Sequence, residues 1–110
     1  MDGPHLLLSL KVDRVLSRNG PGFYMLGDER AEPRYVGRSD DNLGAALKGW
    51  AQNPTYHYFW FEHTATPREA YQGQCRRWHE LGGAKGLLDN RDHPVPPADA
   101  DWWCPACGER

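Results

Sequence analysis

The residue types near the end of the chain are typical of a metal site. Cys104 and Cys107 are separated by two residues and followed by Gly108, a spacing that lets two thiolates bind one ion. Cys75 and His79 stand four residues apart on a predicted helix and therefore share one face of it. Together the four side chains would form a Cys₃His group, a regular composition for structural tetrahedral zinc. The sequence therefore predicts one structural zinc ion that ties the tail to this helix.

Other interpretations of these residues stay open. Cys104 and Cys107 could form a redox-active pair, or they could bind a metal while Cys75 is a buried core thiol. His93 is an alternative to His79 as the fourth ligand. Three cysteines cannot all pair in disulfides, and thiols inside cells are mostly reduced. Metal binding is therefore the hypothesis to test.

Two short aromatic motifs lie on predicted strands. Gly22-Phe23-Tyr24 begins a strand predicted at residues 22–27, after turn residues that include Asn19. Tyr35-Val36-Gly37 lies in a second strand, and the short loop between the two predicts an antiparallel hairpin. The next elements are a helix, a strand and a helix, predicted at residues 43–51, 56–63 and 67–81.

The last of these helices has the clearest ends. Thr66-Pro67-Arg68-Glu69 is a capping box with Pro at the first helical position, and Gly82-Gly83 ends the helix. The segment Leu6–Leu16 is compatible with a strand followed by a helical turn. We predict a single α+β domain over residues 1–110, with a three-stranded antiparallel sheet flanked by helices. Its core spans about residues 20–94, and an irregular, zinc-tethered tail spans about residues 95–110.

In this order of elements, the two motifs resemble those of the GIY-YIG nuclease superfamily, over residues 20–94. The resemblance implies a metal-dependent endonuclease that cuts phosphodiester bonds in DNA, with Mg²⁺ or Mn²⁺ as its catalytic ion. In the family, tyrosines from the two strands orient or activate the attacking water, and Tyr24 and Tyr35 match those positions. A helical Arg contacts the phosphate, and a Glu on the following long helix binds the metal. Asn90 lies where the family often has an Asn near the active site.

The chain departs from the family pattern at two positions. Ala46 stands at the Arg position, and Gln74 stands at the Glu position. A neutral amide is a poor ligand for Mg²⁺, which prefers carboxylates and water. Loss of one oxyanion-type stabiliser alone typically slows an enzyme by about 10²–10³-fold. The catalytic site is therefore expected to be degenerate, unless Arg38 replaces the helical Arg.

Three functions are compatible with these residues. The first is a nuclease-like domain with a degenerate site that binds nucleic acid or a protein partner, with weak or no cleavage. The second is an active Mg²⁺-dependent DNA endonuclease that uses Tyr24, Tyr35 and Arg38. The third is a structural protein-interaction module.

Charge separates these hypotheses. Arg34, Arg38 and Lys48 are the predicted nucleic-acid-binding residues, and a basic surface around them and Arg77 would favour nucleic acid over protein. The formal net charge of −2 weakens the case for charge-driven DNA binding.

The apolar run Leu6–Leu8 is too short for a membrane span or a signal-peptide core. We therefore expect a cytoplasmic protein with no membrane partner.

Overall fold

The computed structural model describes residues 1–53 and 55–108 and has an α+β fold. Its strands are β1 (Asp2–Leu6), β2 (Gly22–Gly27), β3 (Pro33–Ser39) and β4 (Tyr58–His63). Its α-helices are α1 (Ser9–Val15), α2 (Leu43–Ala51) and α3 (Pro67–Glu80), and a 3₁₀ turn follows α3 at Gly83–Lys85. The α+β class is thus confirmed.

The strands form one antiparallel sheet in the order β1-β4-β2-β3. The prediction of three strands is wrong by one, because β1 adds to the outer edge of β4. β1 contains Gly3 and Pro4 and has mostly exposed side chains, so it lacks the alternation by which a strand is recognised. The predicted hairpin of β2 and β3 is confirmed, with Tyr24 opposite Gly37 and Leu26 opposite Tyr35.

The two faces of the sheet carry different helices. Side chains of a strand alternate between faces, so the residues of β2 divide into two sets. One set, with its neighbours on β3 and β4, packs against α1 and α2; we call this side the tyrosine face (Tyr24, Leu26, Tyr35, Phe59 and Phe61). The other set packs against α3; we call this side the α3 face (Phe23, Met25, Val36 and Arg38).

Local capping explains where α2 and α3 begin. The Asn42 side chain accepts a hydrogen bond from the Ala45 N–H at 3.0 Å, and α2 has the predicted bounds. The Thr66 hydroxyl accepts one from the Glu69 N–H at 3.1 Å at the start of α3. After α3, Gly82 adopts a φ of 95°, a conformation that favours glycine and turns the chain away.

The segment after the 3₁₀ turn runs along the outer edge of β3 and then over α3. The Asp89 N–H donates to the Arg34 carbonyl at 2.6 Å, which places this segment beside β3. Further on, Trp102 packs against a buried cluster of Tyr71, Cys75 and Cys104. The segment thereby brings Trp102 and Cys104 next to α3. Among the described residues, no helix has the length and apolar character needed to cross a membrane.

Candidate metal centre and tyrosine cluster

Four metal-ligating side chains meet where α3 ends and the tail returns. His79 comes from the last turn of α3, and His93, Cys104 and Cys107 come from the tail. One ligand atom from each of the four lies within 4.8 Å of the others. Two imidazole nitrogens and two thiolates form a donor set that suits tetrahedral zinc. The group can therefore hold one ion between α3 and the tail.

Each histidine of this group has a ring nitrogen that is available to bind a metal. The Nδ1 atom of His93 lies 2.6 Å from the Pro94 carbonyl, to which it can donate, and Nε2 lies 3.3 Å from Cys107 Sγ. A donor bond at Nδ1 leaves Nε2 unprotonated, as a ligand must be. The Nε2 atom of His79 is buried and has no hydrogen-bond partner. An unsatisfied buried nitrogen costs about 1–3 kcal/mol, and a bound ion would satisfy it.

The turn between the two cysteines favours thiolate. Burial alone would raise the pKa of Cys104, but the N–H groups of Cys107 and Ala106, together with the neighbouring His93 and Cys107 side chains, lower it to about 6. The Gly108 N–H closes the turn on the Cys104 carbonyl at 2.8 Å. Because the thiolate is the form that binds metal, this turn is suited to zinc.

Cys75 lies beside this group and is not part of it. It is fully buried against Tyr71 and Cys104, and burial raises the pKa of its thiol to about 12. The set brought together therefore differs by one ligand from the set that the sequence predicted. His93 joins His79, where the sequence offered the two histidines as alternatives. A spacing of four residues gives two side chains a shared helix face, but Cys75 packs on Tyr71 and His79 packs on Trp78.

The motif tyrosines form an aromatic cluster on the tyrosine face. The indole N–H of Trp50, on α2, donates to the Tyr24 hydroxyl at 2.8 Å. The ring of Tyr35 lies 4.9 Å from that of Trp50 and 6.1 Å from that of Tyr56, between centroids. The Tyr56 hydroxyl donates to Asp89 at 2.6 Å. Tyr24 and Tyr35 are thus brought together, and sequence reasoning missed Tyr56 and Asp89, which carry no motif.

Burial raises the pKa of these phenols above the ordinary value. Desolvation raises the pKa of Tyr24 from 10.0 to about 12, against a smaller lowering by the Trp50 hydrogen bond. Burial also raises the pKa of Tyr35 and of Tyr56, and the bond to Asp89 raises the latter further. A general base is most effective when its pKa lies near the working pH. The Tyr24 hydroxyl is therefore poorly suited to deprotonate water near neutral pH.

Stability should fall as the pH rises above about 10. Tyr24 has a higher pKa in the folded chain than the ordinary value of 10.0. Its contribution to stability is therefore fully present below about pH 10 and is lost as the pH rises through about 12. Urea unfolding at several pH values across this range should show the decline. Tyr24→Phe should make the decline shallower, and an unchanged slope in that variant would contradict the prediction.

Arg38 and Gln74 lie on the other side of the sheet, on the α3 face. The Arg38 guanidinium donates to Asp40 at 2.9 Å, to Gln74 Oε1 at 2.7 Å and to the Val95 carbonyl at 2.9 Å. It also lies 5.2 Å above the Tyr71 ring. The Gln74 amide in turn donates to the Val36 carbonyl at 3.3 Å. Both side chains are thus bonded to other parts of the chain.

Asn90 substitutes for a neighbouring strand at the edge of β3. Its Oδ1 accepts from the Val36 N–H at 3.2 Å, and its Nδ2 donates to the Val36 carbonyl at 2.7 Å. The Trp78 indole N–H donates to the Asn90 carbonyl at 2.8 Å. These bonds satisfy backbone groups that an edge strand otherwise leaves unpaired. Asn90 therefore has a structural task on this edge.

The predicted nucleic-acid-binding cations are paired with carboxylates. Arg34 lies 3.1 Å from Asp28, Lys48 pairs with Asp13, and Arg38 pairs with Asp40, as described above. Arg77 lies 3.0 Å from Glu80. Ala46, which the resemblance places at the Arg position, is partly buried and packs against the core of the tyrosine face.

Comparison of the chain with protein-family models, with curated proteins and with solved structures gave no match.

Proposed function

We propose that this chain is a GIY-YIG-like domain, held together by a structural zinc ion, that acts by binding a partner and does not cut DNA. The observation that carries the proposal is the state of Gln74. Its carbonyl oxygen accepts from Arg38 and its amide donates to Val36, so both ends are used inside the protein. Gln74 has no carboxylate, and its one side-chain oxygen is already bonded to Arg38. The residue at the family Glu position therefore offers no ligand to a catalytic ion.

The division of the candidate residues between two faces supports the same conclusion. Tyr24 contacts Trp50 on the tyrosine face, whereas Arg38 contacts Gln74 on the α3 face. Phosphodiester cleavage needs the water-activating group and the phosphate-stabilising cation around one reacting phosphate. The alternative enzyme, in which Arg38 serves the tyrosines, would require Arg38 to leave three hydrogen bonds and reach the other face.

The zinc ion in this proposal is a structural one. His79, His93, Cys104 and Cys107 supply four donors, so a tetrahedral ion bound by all of them has no open position for a substrate or a water. The ion would join α3 to a tail that has few other apolar anchors. Its role would be to hold the tail in place.

The charged side chains of this chain favour a protein partner over nucleic acid. DNA binding depends on cations that are free to neutralise phosphates. The four candidate cations are each paired with an acidic side chain: Arg34, Arg38, Lys48 and Arg77. Together with the net charge of −2, this pairing favours a protein partner over nucleic acid for the proposed domain.

The experiment that tests the proposal combines DNA cleavage with DNA binding. Supercoiled and branched DNA are incubated with the wild type and with Tyr35→Phe, in Mg²⁺ or Mn²⁺, and we expect neither protein to nick them. Fluorescence anisotropy with labelled duplex should give a Kd weaker than about 10⁻⁴ M at physiological salt. Lys48→Ala should leave that value unchanged.

Two results would overturn the proposal. Nicking by the wild type that is absent in Tyr35→Phe would show an active tyrosine-dependent nuclease. Micromolar DNA binding that weakens steeply with salt and in Lys48→Ala would show a nucleic-acid module instead.

A further inference from the structure

Three thiols lie next to one another at the candidate metal centre, with Cys104 between the other two. Cys104 contacts Cys75 on its core side and Cys107 on its outer side. Cys75 and Cys104 are 0% and 1% exposed, whereas Cys107 is exposed. None of the three is in a disulfide. A small oxidant from solvent therefore meets Cys107 first, and Cys75 can take part only through Cys104.

We propose that these cysteines form a redox-sensitive metal switch. Oxidation by a peroxide releases the metal, and the thiols finish as a Cys75–Cys104 disulfide that keeps the tail attached to α3. The proposal rests on the zinc centre proposed above and adds its regulation. It gives Cys75, which is outside the group of four ligands, a role beside them.

The chemistry balances in two steps. In the first, the Cys107 thiolate attacks a peroxide oxygen and becomes a sulfenic acid, and the Cys104 thiolate then displaces hydroxide from its sulfur. The products are a Cys104–Cys107 disulfide and, with two protons, two waters from hydrogen peroxide. Both sulfurs leave the metal, which departs as a divalent ion. In the second step, the Cys75 thiol gives up its proton and its thiolate attacks Cys104. A Cys75–Cys104 bond forms, and Cys107 leaves as a thiolate that takes up that proton.

Burial protects the second disulfide from reduction better than the first. Thiol–disulfide exchange with a reductant from solvent requires access to one of the two sulfurs. A Cys104–Cys107 disulfide has one sulfur on an exposed residue, whereas Cys75 and Cys104 are both buried beneath Trp102. The bond between the two buried sulfurs is therefore protected from reduction. It also joins α3 to the tail, as the metal does before oxidation.

The test uses the full-length, zinc-loaded chain. Hydrogen peroxide is added in steps, zinc release is followed with a chelating dye, and the remaining thiols are alkylated after the chain is unfolded in denaturant, so that buried thiols are labelled too. Mass spectrometry of unreduced peptides then maps the disulfides. We expect one zinc released per chain, a Cys75–Cys104 link in most molecules and the alkyl label on Cys107. Retention of zinc, or a final Cys104–Cys107 link with label on Cys75, would overturn the proposal.

Cys75→Ser is the matched variant, because it keeps all four ligands of the centre. It should bind zinc as the wild type does and release it to peroxide, but should stop at the Cys104–Cys107 disulfide. Retention of zinc by peroxide-treated Cys75→Ser would contradict the switch, because the first step does not use Cys75. Zinc content is measured before peroxide is added. A reduced chain without zinc contradicts the metal centre itself, whereas a zinc-loaded chain with the wrong disulfide contradicts only the switch.

Discussion

Replacing Cys104 by serine should remove zinc from the chain and destabilise the fold. Cys104 is 1% exposed and belongs to the group of four ligands, and a serine hydroxyl is a poor substitute for a thiolate. Three remaining ligands, His79, His93 and Cys107, would be left around a site that no longer closes. Metal analysis of the purified variant should give close to no zinc, where the wild type should give one ion per chain.

The expected loss of stability follows from linkage. An ion that binds only the folded chain stabilises it by about 4 kcal/mol when the free ion is about 1,000-fold above its Kd. For a chain of this size, each kcal/mol corresponds to about 4 °C in the melting temperature. The melting temperature of Cys104→Ser should therefore lie about 15 °C below that of the zinc-loaded wild type. Chelation of the wild type should produce a similar decrease.

Cys75→Ser is the control for this prediction, because Cys75 is equally buried and touches Cys104 without belonging to the group of four. It should retain one zinc per chain and respond to added zinc as the wild type does. Loss of zinc in Cys75→Ser would restore Cys75 to the ligand set that the sequence predicted. Full zinc in Cys104→Ser would contradict the proposed centre.

The predicted ligand set differs for a physical reason from the four side chains that the structure brings together. The distance between Cys75 and His79 along α3 was readable from the sequence, since residues four apart lie on neighbouring turns. The position of His93 depends on the path of the tail past Trp78, where the His93 ring lies 5.3 Å from the indole. That path is fixed by contacts distant in sequence, such as the Asp89 N–H on the Arg34 carbonyl. Local periodicity carries no information about such contacts.

Elements with strong local signals were predictable, whereas the bounds of β1 were not: residues 6–16 suggested a strand and a helical turn, but β1 ends at Leu6 and α1 covers Ser9–Val15. The Asn42 and Thr66 caps fixed the starts of α2 and α3, because each satisfies backbone N–H groups by itself. β1 has no such signal and is held by pairing with β4, more than fifty residues away. A strand of this kind is recognised only from its partner.

The separation of the tyrosines from Arg38 was readable from the sequence. Tyr35 and Arg38 are three residues apart on one predicted strand, and an odd separation places two side chains on opposite faces. The structure has that arrangement, with Tyr35 next to Trp50 and Arg38 next to Gln74. The sequence hypothesis in which Arg38 assists the tyrosines did not take this alternation into account.

Gly37→Ala should destabilise the fold by about 1–3 kcal/mol, a typical cost of adding a methyl group to a packed core. A Cβ at this position would lie 2.5 Å from both Cζ and the hydroxyl oxygen of Tyr24. Tyr24 cannot move away easily, because it is 5% exposed and accepts a hydrogen bond from Trp50. Urea or thermal unfolding measures the loss.

Gly49→Ala is the matched control, with an effect of opposite sign. Gly49 lies in α2, and a Cβ there meets no heavy atom within 4 Å. Because alanine is the better helix former, this variant should be more stable by about 0.5–1 kcal/mol. Gly37→Ala with wild-type stability would show that Tyr24 does not require the glycine.

The contact between Tyr24 and Gly37 also offers a packing explanation for the two motifs. Tyr24 of the first motif lies over Gly37 of the second, so the tyrosine of one and the glycine of the other are complementary in packing. The first glycine of the pair is constrained too, since a Cβ at Gly22 would lie 2.5 Å from the Glu62 carbonyl oxygen. Packing of the hairpin thus accounts for these residues without any catalytic task. A large loss of stability in Gly37→Ala, in a chain that does not cut DNA, would support the view that the two motifs serve the packing of the fold.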